Sequence, residues 1–291
     1  MTHSVRKTTA LTVLGVVLGS LTGCGGHGGA PADGPPAAGR TPAVAHAPSH
    51  PAPPPPATLA PGPGGLTPVF AHGARTGEKV VALTFDADMT AAEGPRAAAG
   101  ERFDNPGLID LLRDLEVPAT VFMTGRWADE YPAQARSIGA DPLFEVANHS
   151  YSHYAYTSPC YGLPTVAKDD MRADAARAFA SFRKAGVRNT VPYLRFPGGC
   201  YDDASLRALA PEKVTAVQWD VISGDAFATD AEAVAEQVLN GVKPGSLVVM
   251  HCTRSAAPVT DEAVRQVVPE LRRQGYRFVK VSDLIRTAAG S

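Results

Sequence analysis

The sequence predicts an α/β fold in which short parallel strands alternate with helices. From residue 76 onward, short apolar β-prone runs alternate with longer segments whose apolar residues recur at helical spacing. Five side chains capable of acid–base or metal chemistry each lie at, or just beyond, the carboxyl end of such a run. They are Asp86, His149, Arg195, Asp225 and His251. Because the carboxyl ends of parallel strands share one face of an α/β fold, the pattern predicts a single site there.

The composition allows one good-sized domain with an appendage. The chain has 291 residues, of which 44% are hydrophobic and 19% are charged. Its formal charge of −2 gives no reason to expect a nucleic-acid partner. Four cysteines are too few for a fold that is built on disulfides.

The appendage begins with a predicted export signal over residues 1–23. Two basic residues precede an apolar run over residues 10–18, which is too short to span a bilayer and is typical of a secretory signal. The Leu-Thr-Gly-Cys stretch that ends at Cys24 resembles the signal box of bacterial lipoproteins. This resemblance implies that Cys24 becomes a diacylated N-terminus and anchors the exported chain to the outer face of the cell membrane. The alternative is an ordinary signal peptide with a chance cysteine.

Residues 24–75 are predicted to form a disordered tether. Thirteen of the 26 prolines lie between Pro31 and Pro68, and glycine and alanine make up most of the rest. This composition cannot bury a core and favours an extended chain. We expect the tether to space a domain over residues 76–288 away from the membrane.

The first strand of that domain is predicted over residues 79–85, and two carboxylates follow it. Residues two apart in an extended chain point the same way, so Asp86 and Asp88 can converge on one site. The alternative is a solvated loop that caps a helix.

Later segments continue the alternation of helix and strand. The helical segment and the β-prone run that follow the first strand favour a parallel unit with a right-handed crossover. Gly186 and Gly241 end two amphipathic segments, as glycine commonly does after a helix. The predicted elements are helices over residues 106–116, 128–138, 166–185, 230–240 and 261–273, strands over 118–123, 143–147, 190–196, 214–219, 246–250 and 276–279, and a closing turn over 283–287.

Two of the three histidines after residue 75 lie four residues apart, at His149 and His153. On a helical turn these positions share a face, so both imidazoles could bind one metal ion. Histidine is the usual nitrogen ligand of zinc and also suits cobalt and nickel. The alternative is a solvated polar turn.

Five motifs, taken in chain order, resemble those of the polysaccharide deacetylases, which are carbohydrate esterase family four with its NodB-homology domain. The motifs are Thr84-Phe85-Asp86, His149-Ser150-x-x-His153, Arg195-x-Pro197-x-Gly199, an aspartate segment led by Trp219, and Val249-x-His251. The resemblance covers about residues 76–288 and implies a distorted (β/α) barrel with a divalent metal, often zinc. It implies removal of acetyl groups from N-acetylglucosamine polymers or from O-acetylated xylan.

The resemblance also implies roles for the site residues. His149 and His153 would be metal ligands, with zinc the first choice and cobalt and nickel the alternatives. Asp86 takes the position of the base that removes a proton from water, and Arg195 would pair with it and orient it.

The same resemblance assigns three further residues to the leaving-group side of the reaction. The backbone N–H of Gly198 occupies the position expected to steady the oxyanion. His251 would be the general acid that protonates the departing amine, and Asp225 would orient His251 and raise its pKa.

Two departures from the family pattern concern the metal and the groove. The family usually has adjacent aspartates, but here Ala87 stands in the second place, so Asp88 is expected to replace the missing ligand. The alternatives are a site with two histidines only, or an exchange in which Asp86 binds the metal. Gly198 and Ala226 stand where the family has aromatic residues, and both changes are expected to open the groove.

Cys160, Cys200 and Cys252 remain once Cys24 is lipidated, and an exported chain meets oxidising conditions. We therefore expect one bridged pair and one free thiol, although the sequence does not choose between them.

The combined expectation is a monomeric, membrane-anchored deacetylase that acts on a polysaccharide. Peptidoglycan is favoured because the tether would hold the domain near the cell wall. The alternatives are a non-catalytic glycan-binding lipoprotein on the same fold and an esterase for O-acetyl groups.

Overall fold

The computed structural model describes residues 55–289. The predicted signal peptide, the lipidation of Cys24 and the first part of the tether lie outside these residues. None of the helices within residues 55–289 is both long enough and apolar enough to cross a bilayer.

Nine strands in the described part of the chain form one sheet, and every pair of neighbours is parallel. The strands are β1 (Val69–Phe70), β2 (Val80–Ala87), β3 (Ala119–Met123), β4 (Phe144–Asn148), β5 (Thr190–Leu194), β6 (Thr215–Val217), β7 (Val221–Ile222), β8 (Ser246–His251) and β9 (Arg277–Phe278). Their order is β1-β6-β5-β4-β3-β2-β8-β7, and β9 pairs with β2. The predicted parallel sheet is thus confirmed.

Nine α-helices join these strands within residues 55–289. They are α1 (Gly94–Ala98), α2 (Pro106–Asp114), α3 (Gly125–Glu130), α4 (Pro132–Ala140), α5 (Met171–Ala185), α6 (Asp203–Leu209), α7 (Ala231–Gly241), α8 (Thr260–Arg273) and α9 (Val281–Ala289). Local chemistry sets several boundaries. The side chain of Asn105 caps α2 by accepting from the Leu108 N–H, and Gly186 ends α5 at a φ of 84°.

Both faces of the sheet are buried. Alternate residues of each strand point in opposite directions, and a different apolar cluster covers each face. In β2, Ala82 belongs to an inner apolar cluster, whereas Leu83 belongs to a cluster packed under the helices. The inner cluster also holds Phe122, Tyr193 and Leu247 from three other strands. This curled sheet with a filled interior is the distorted (β/α) barrel expected from the sequence.

Helix α9 packs against the inner cluster from the side of the strands' amino ends. Its first two N–H groups donate to side chains near the starts of two strands, Val281 to Thr120 Oγ1 at 3.0 Å and Ser282 to Glu145 Oε1 at 3.1 Å. Glu145 also accepts from Thr120 Oγ1 at 2.8 Å. The predicted closing turn over residues 283–287 is therefore wrong, because the buried Glu145 carboxylate caps a full helix at this point.

The predicted helix over residues 128–138 is also wrong, because the segment is divided into α3 and α4. Pro132 is the first residue of α4, where its missing N–H needs no partner and its fixed φ suits a helix start. Gly125 is the first residue of α3. Helices α1 and α6 and strand β7 were not predicted at all.

The last part of the predicted tether belongs to the domain. Tyr193 Oη donates to the Ala57 carbonyl at 2.7 Å, and the Leu59 N–H donates to Thr215 Oγ1 at 3.2 Å. Strand β1 then pairs with β6 at one edge of the sheet, with Phe70 buried. The predicted boundary at residue 75 is therefore too late, since residues 57–75 are packed on the sheet.

Candidate active site

Strand register brings the predicted site residues to one face of the sheet. Asp86 in β2 pairs with His251 in β8 and with Phe122 in β3. His149 and Arg195 each follow the last residue of a strand, β4 and β5 respectively. A cavity of about 500 Å³ opens here. Its lining includes Asp86, Asp88, His149, His153, Gly198, Asp225 and His251.

Asp86 and Arg195 form a buried ion pair beside this cavity. Arg195 Nη1 donates to Asp86 Oδ1 at 2.6 Å, and the Arg195 side chain is fully buried. The guanidinium lies 3.9 Å from the ring centroid of Phe122, in cation–π geometry. Burial lowers the pKa of Arg195, and the neighbouring Asp86 carboxylate opposes that shift. The pair holds one oxygen of Asp86 and leaves Oδ2 directed toward His149 Nε2, 3.7 Å away.

Asp88, His149 and His153 form a cluster that could hold a metal ion. Asp88 Oδ1 lies 3.3 Å from His149 Nε2 and 3.6 Å from His153 Nε2, and one ligand atom from each residue lies within 4.8 Å of the others. Burial alone would raise the pKa of Asp88, but the three surrounding histidines, His153 first, outweigh it and hold that pKa below its ordinary value.

Two further observations test whether the cluster fits a divalent cation. His149 Nδ1 donates to the Arg195 carbonyl at 2.9 Å, so the lone pair of Nε2 faces Asp88. Asp88 Oδ1 is buried and has no hydrogen-bond partner within residues 55–289. When His149 is neutral, its Nε2 lone pair and the Asp88 carboxylate face each other, and a bound cation would be coordinated by both. The residues therefore fit a metal, and Asp88 is the carboxylate that lies beside both histidines.

The two histidines converge through a loop and not through a helical turn. Ser150 and His153 have positive φ values of 67° and 57°, and the His153 N–H donates to Ser150 Oγ at 2.9 Å. The loop brings the His149 and His153 ring centroids to 5.1 Å. The helical interpretation of the four-residue spacing was therefore wrong, although both rings reach the same site.

His251 and Asp225 form the second polar pair of the cavity. Asp225 Oδ1 accepts from His251 Nδ1 at 2.8 Å, and Oδ2 accepts from the His251 backbone N–H at 2.7 Å. Burial opposes the charging of His251, but the hydrogen bond and charge of Asp225 outweigh it and raise the pKa of His251 to about 10. Nε2 faces the cavity, 3.9 Å from Asp88 Oδ2.

Gly198 lies in a tight turn with a φ of 64°, at the edge of the cavity. A Cβ at this position would meet the Cys160 sulfur at 2.6 Å, a Leu163 methyl group at 3.3 Å and a Tyr161 ring carbon at 3.4 Å. The expectation that Gly198 opens the groove was wrong, because these side chains fill the space beside it. Cys160 is bonded to Cys200, and Cys252 is free and buried, which accounts for the three cysteines within residues 55–289.

Sequence reasoning missed the hydroxyl groups that support the acidic residues. Ser223 and Thr260 donate to the two oxygens of Asp225 at 2.8 and 2.7 Å. Thr253 Oγ1 accepts from the Asp88 N–H at 2.9 Å, which helps to fix the loop after β2. Isolated serines and threonines form no pattern in one sequence, so no signal was present that could have identified them.

Comparisons with known proteins agree with this geometry. A family model described as polysaccharide deacetylase matches residues 73–217. A peptidoglycan-N-acetylglucosamine deacetylase of Bacillus cereus is 29% identical over 212 residues, which are 72% of this chain and 89% of that protein. A chitooligosaccharide deacetylase of Rhizobium leguminosarum bv. phaseoli is 30% identical over 183 residues, which are 62% of this chain and 72% of that protein.

The fold is also similar to a solved structure, that of the Bc1960 peptidoglycan N-acetylglucosamine deacetylase. The two superpose with a TM-score of 0.63, at 23% identity, over 77% of this chain and 95% of that one.

Proposed function

The chain belongs to the polysaccharide deacetylase family, and from that premise we propose that it removes acetyl groups from an N-acetylglucosamine polymer by metal-dependent hydrolysis. The observation that carries the proposal is the meeting of three groups in one cavity. They are the buried Asp86–Arg195 pair, the Asp88–His149–His153 cluster and the Asp225–His251 pair.

Asp88, His149 and His153 would hold the metal, with zinc the first choice and cobalt or nickel the alternatives. When bound, a divalent metal supplies a Lewis acid that polarises the acetyl carbonyl and makes water more acidic. The Arg195 carbonyl fixes the His149 ring so that Nε2 is the atom available for ligation.

Asp86 acts as the general base. Arg195 occupies Oδ1 of Asp86, so Oδ2 is the oxygen that accepts a proton from the attacking water. The buried guanidinium compensates the charge of Asp86 and holds its carboxylate in one orientation.

His251 acts as the general acid. Asp225 binds its Nδ1 and raises its pKa to about 10, so the ring carries a proton at neutral pH. Nε2, which faces the cavity, donates that proton to the departing amine. The backbone N–H of Gly198 steadies the negative charge that develops on the carbonyl oxygen.

Peptidoglycan is the glycan that we favour as the substrate. The support is the predicted lipid anchor at Cys24, which would hold an exported domain on the outer face of the membrane. The peptidoglycan deacetylase of Bacillus cereus is among the similar proteins. The non-catalytic alternative rests on Ala87, and the position of Asp88 beside both histidines supports the enzyme instead.

Acetate release from N-acetylglucosamine oligomers and from acetylated xylan tests the proposal. The chain from Gly25 onward would be stripped with a chelator and supplied with zinc or cobalt, beside Asp86→Asn and Asp88→Ala. We expect release to return with metal and to be lost in both variants, while the exposed Asp203→Asn control keeps it. Release from xylan alone would favour the O-acetyl esterase, and release without metal would contradict the mechanism.

A further inference from the structure

Two exposed aromatic side chains border the cavity of the site. Tyr161 is 89% exposed and Phe227 is 83% exposed, and both line the cavity. Only four large hydrophobic residues are exposed in the part of the chain that the structure describes, and a third, Ile222, also lines this cavity. Exposed apolar surface gathered at one groove is typical of a ligand-binding surface.

Each aromatic residue occupies a central position of a tight turn, where its backbone conformation is unfavourable. The Leu163 N–H donates to the Cys160 carbonyl at 2.9 Å, and between them Tyr161 has a φ of 48° and Gly162 a φ of 76°. Two positive φ values are the pattern of a type I′ turn, which favours glycine or asparagine at both positions.

The turn at Phe227 has the same character. The Ala228 N–H donates to the Asp225 carbonyl at 3.1 Å, and Phe227 has a φ of 58°. Bulky side chains rarely adopt this conformation, so neither packing nor backbone preference accounts for an aromatic residue here.

Other positive φ values of non-glycine residues in the described chain have ordinary causes or belong to the site. Glu116 and Lys213 lie just after helical segments, where left-handed residues are common. Ser150 and His153 form the histidine loop already described. Only Tyr161 and Phe227 in this group are left without such a cause. Both place an exposed aromatic ring at the edge of the cavity.

Both turns are held in place by contacts outside themselves. The Cys160–Cys200 disulfide ties the Tyr161 turn to the segment beside Gly198, and the Phe227 N–H donates to the Ala256 carbonyl at 2.6 Å. Tyr161 lies in the connection after β4 and Phe227 in the connection after β7, strands that are separated by β3, β2 and β8 in the sheet. The backbones of the two residues are thus held in advance on two different elements of the rim.

We propose that Tyr161 and Phe227 are stacking platforms for two sugar rings that flank the acetylated residue. A pyranose ring presents an apolar face of C–H bonds, and an exposed aromatic ring removes that face from water when the two stack. The proposal rests on the proposed function in taking a glycan as the ligand. The preferred substrate is then a chain of at least three sugars. Tyr161 and Phe227 are the residues that make the protein prefer longer chains.

Glycine substitutions separate binding from folding, because glycine adopts a positive φ without strain. Binding of N-acetylglucosamine pentamer and dimer to the metal-stripped full chain would be measured by calorimetry for Tyr161→Gly and Phe227→Gly. We expect each variant to keep the melting temperature of the wild type. Each should bind the pentamer about tenfold more weakly, because a tenfold loss of affinity corresponds to ~60 Å² of apolar surface that is no longer buried on binding. The dimer, which can reach only one platform, should lose affinity in at most one variant.

Two control variants complete the test. Lys213→Gly makes the same backbone change away from the cavity and should bind the pentamer like the wild type, and Tyr161→Phe keeps the ring and should do the same. Pentamer affinity within twofold of the wild type in both glycine variants would overturn the proposal, as would an equal loss in Lys213→Gly. A wild type that binds the pentamer but releases no acetate would refute the proposed function and leave the platforms standing.

Discussion

Arg195 is fully buried, and Asp86 is the only carboxylate it contacts in the described part of the chain. The cost of desolvating both charges is offset only while each has the other as its partner. The pair thus joins stability to the proposed base, because removing one charge leaves the other buried without its closest ion-pair partner.

Replacing Arg195 tests this coupling. Arg195→Met removes the guanidinium that pairs with Asp86 and leaves the buried carboxylate with its longer, 3.7 Å contact to His149 Nε2, so we expect the free energy of unfolding to fall by about 3–5 kcal/mol. Urea denaturation of the metal-stripped protein measures the change. The double variant Asp86→Asn/Arg195→Met, which buries no lone charge, should recover part of the loss. A single variant as stable as the wild type would contradict the interpretation.

The second residue-scale prediction concerns the proton of His251. Because Asp225 raises the pKa of His251, removing the Asp225 charge lowers that pKa, and the ring loses its proton at a lower pH. In Asp225→Asn the basic limb of the pH–rate profile should therefore move to lower pH, and kcat should fall by a factor on the order of 10² or more. Ser223→Ala keeps the carboxylate and removes one hydrogen bond, so its basic limb should stay where the wild type has it. An unshifted limb in Asp225→Asn would show that His251 is not the titrating acid.

The positions of Asp86, His149, Arg195 and His251 at strand ends could be predicted, because each lies at the end of an apolar run that is typical of a buried strand. The place of Asp88 could not be derived from spacing. Ala87 is the last residue of β2, and the path of the loop after it, held by Thr253, decides where Asp88 points. The space beside Gly198 was misjudged for a similar reason, since it is filled by residues of a distant loop, Cys160, Tyr161 and Leu163.

At the scale of elements, the contact between α9 and the sheet includes the buried carboxylate of Glu145, which accepts from the Ser282 N–H. Burial raises the pKa of Glu145, although hydrogen bonds from Ser282 and Thr120 oppose that shift. A raised folded-state pKa means that the neutral acid is favoured in the fold. The stability it contributes is fully present below the unfolded value near 4.5, and it is lost as pH rises through the folded-state value.

Glu145→Gln removes this titration while keeping an oxygen that can accept from the α9 N–H groups. We expect the wild type to lose free energy of unfolding relative to the variant as pH rises from about 4.5 to 7.5. Urea unfolding of both proteins across that range measures the difference. Glu232→Gln, at an exposed position in α7, controls for the loss of a surface charge. A constant difference across the range would mean that Glu145 does not titrate in this way.

Helices and strands with a single apolar periodicity were predictable, whereas breaks and short elements were not. Pro132 divides one periodic segment into two helices, and β7 has only two residues, too few for any alternation to be seen. The four-residue spacing of His149 and His153 matched a helical turn, yet a loop with two left-handed residues produces the same convergence.

For the whole molecule, the main revision concerns where the domain begins. Composition alone placed residues 57–75 in the tether, because proline and glycine are frequent there. Composition does not register long-range contacts such as those of Ala57 with Tyr193 or of β1 with β6. The parallel sheet and its functional face were predictable from the order of motifs, whereas this edge was not.

Truncation tests the revised boundary. A chain that begins at His72 lacks β1 and loses the buried Phe70, so its free energy of unfolding should be lower than that of a chain beginning at Pro55 by at least about 1.5–3 kcal/mol. Chemical denaturation of the two chains gives the difference. Equal stability of the two chains would show that residues 57–71 do not stabilise the domain and belong to the tether.

Because residues 57–75 are packed on the sheet, fewer residues are left to separate Cys24 from the domain than the sequence predicted. If Cys24 is the membrane anchor that we propose, only about 30 residues lie between it and Pro55. A chain of that length spans at most on the order of 100 Å when fully extended, against nearly twice that for a tether that ran to residue 75. Acetylated units farther from the membrane than this reach plus the width of the domain would stay unmodified. On the proposed function and anchor, the length of this segment would limit deacetylation to the layer of wall nearest the cell.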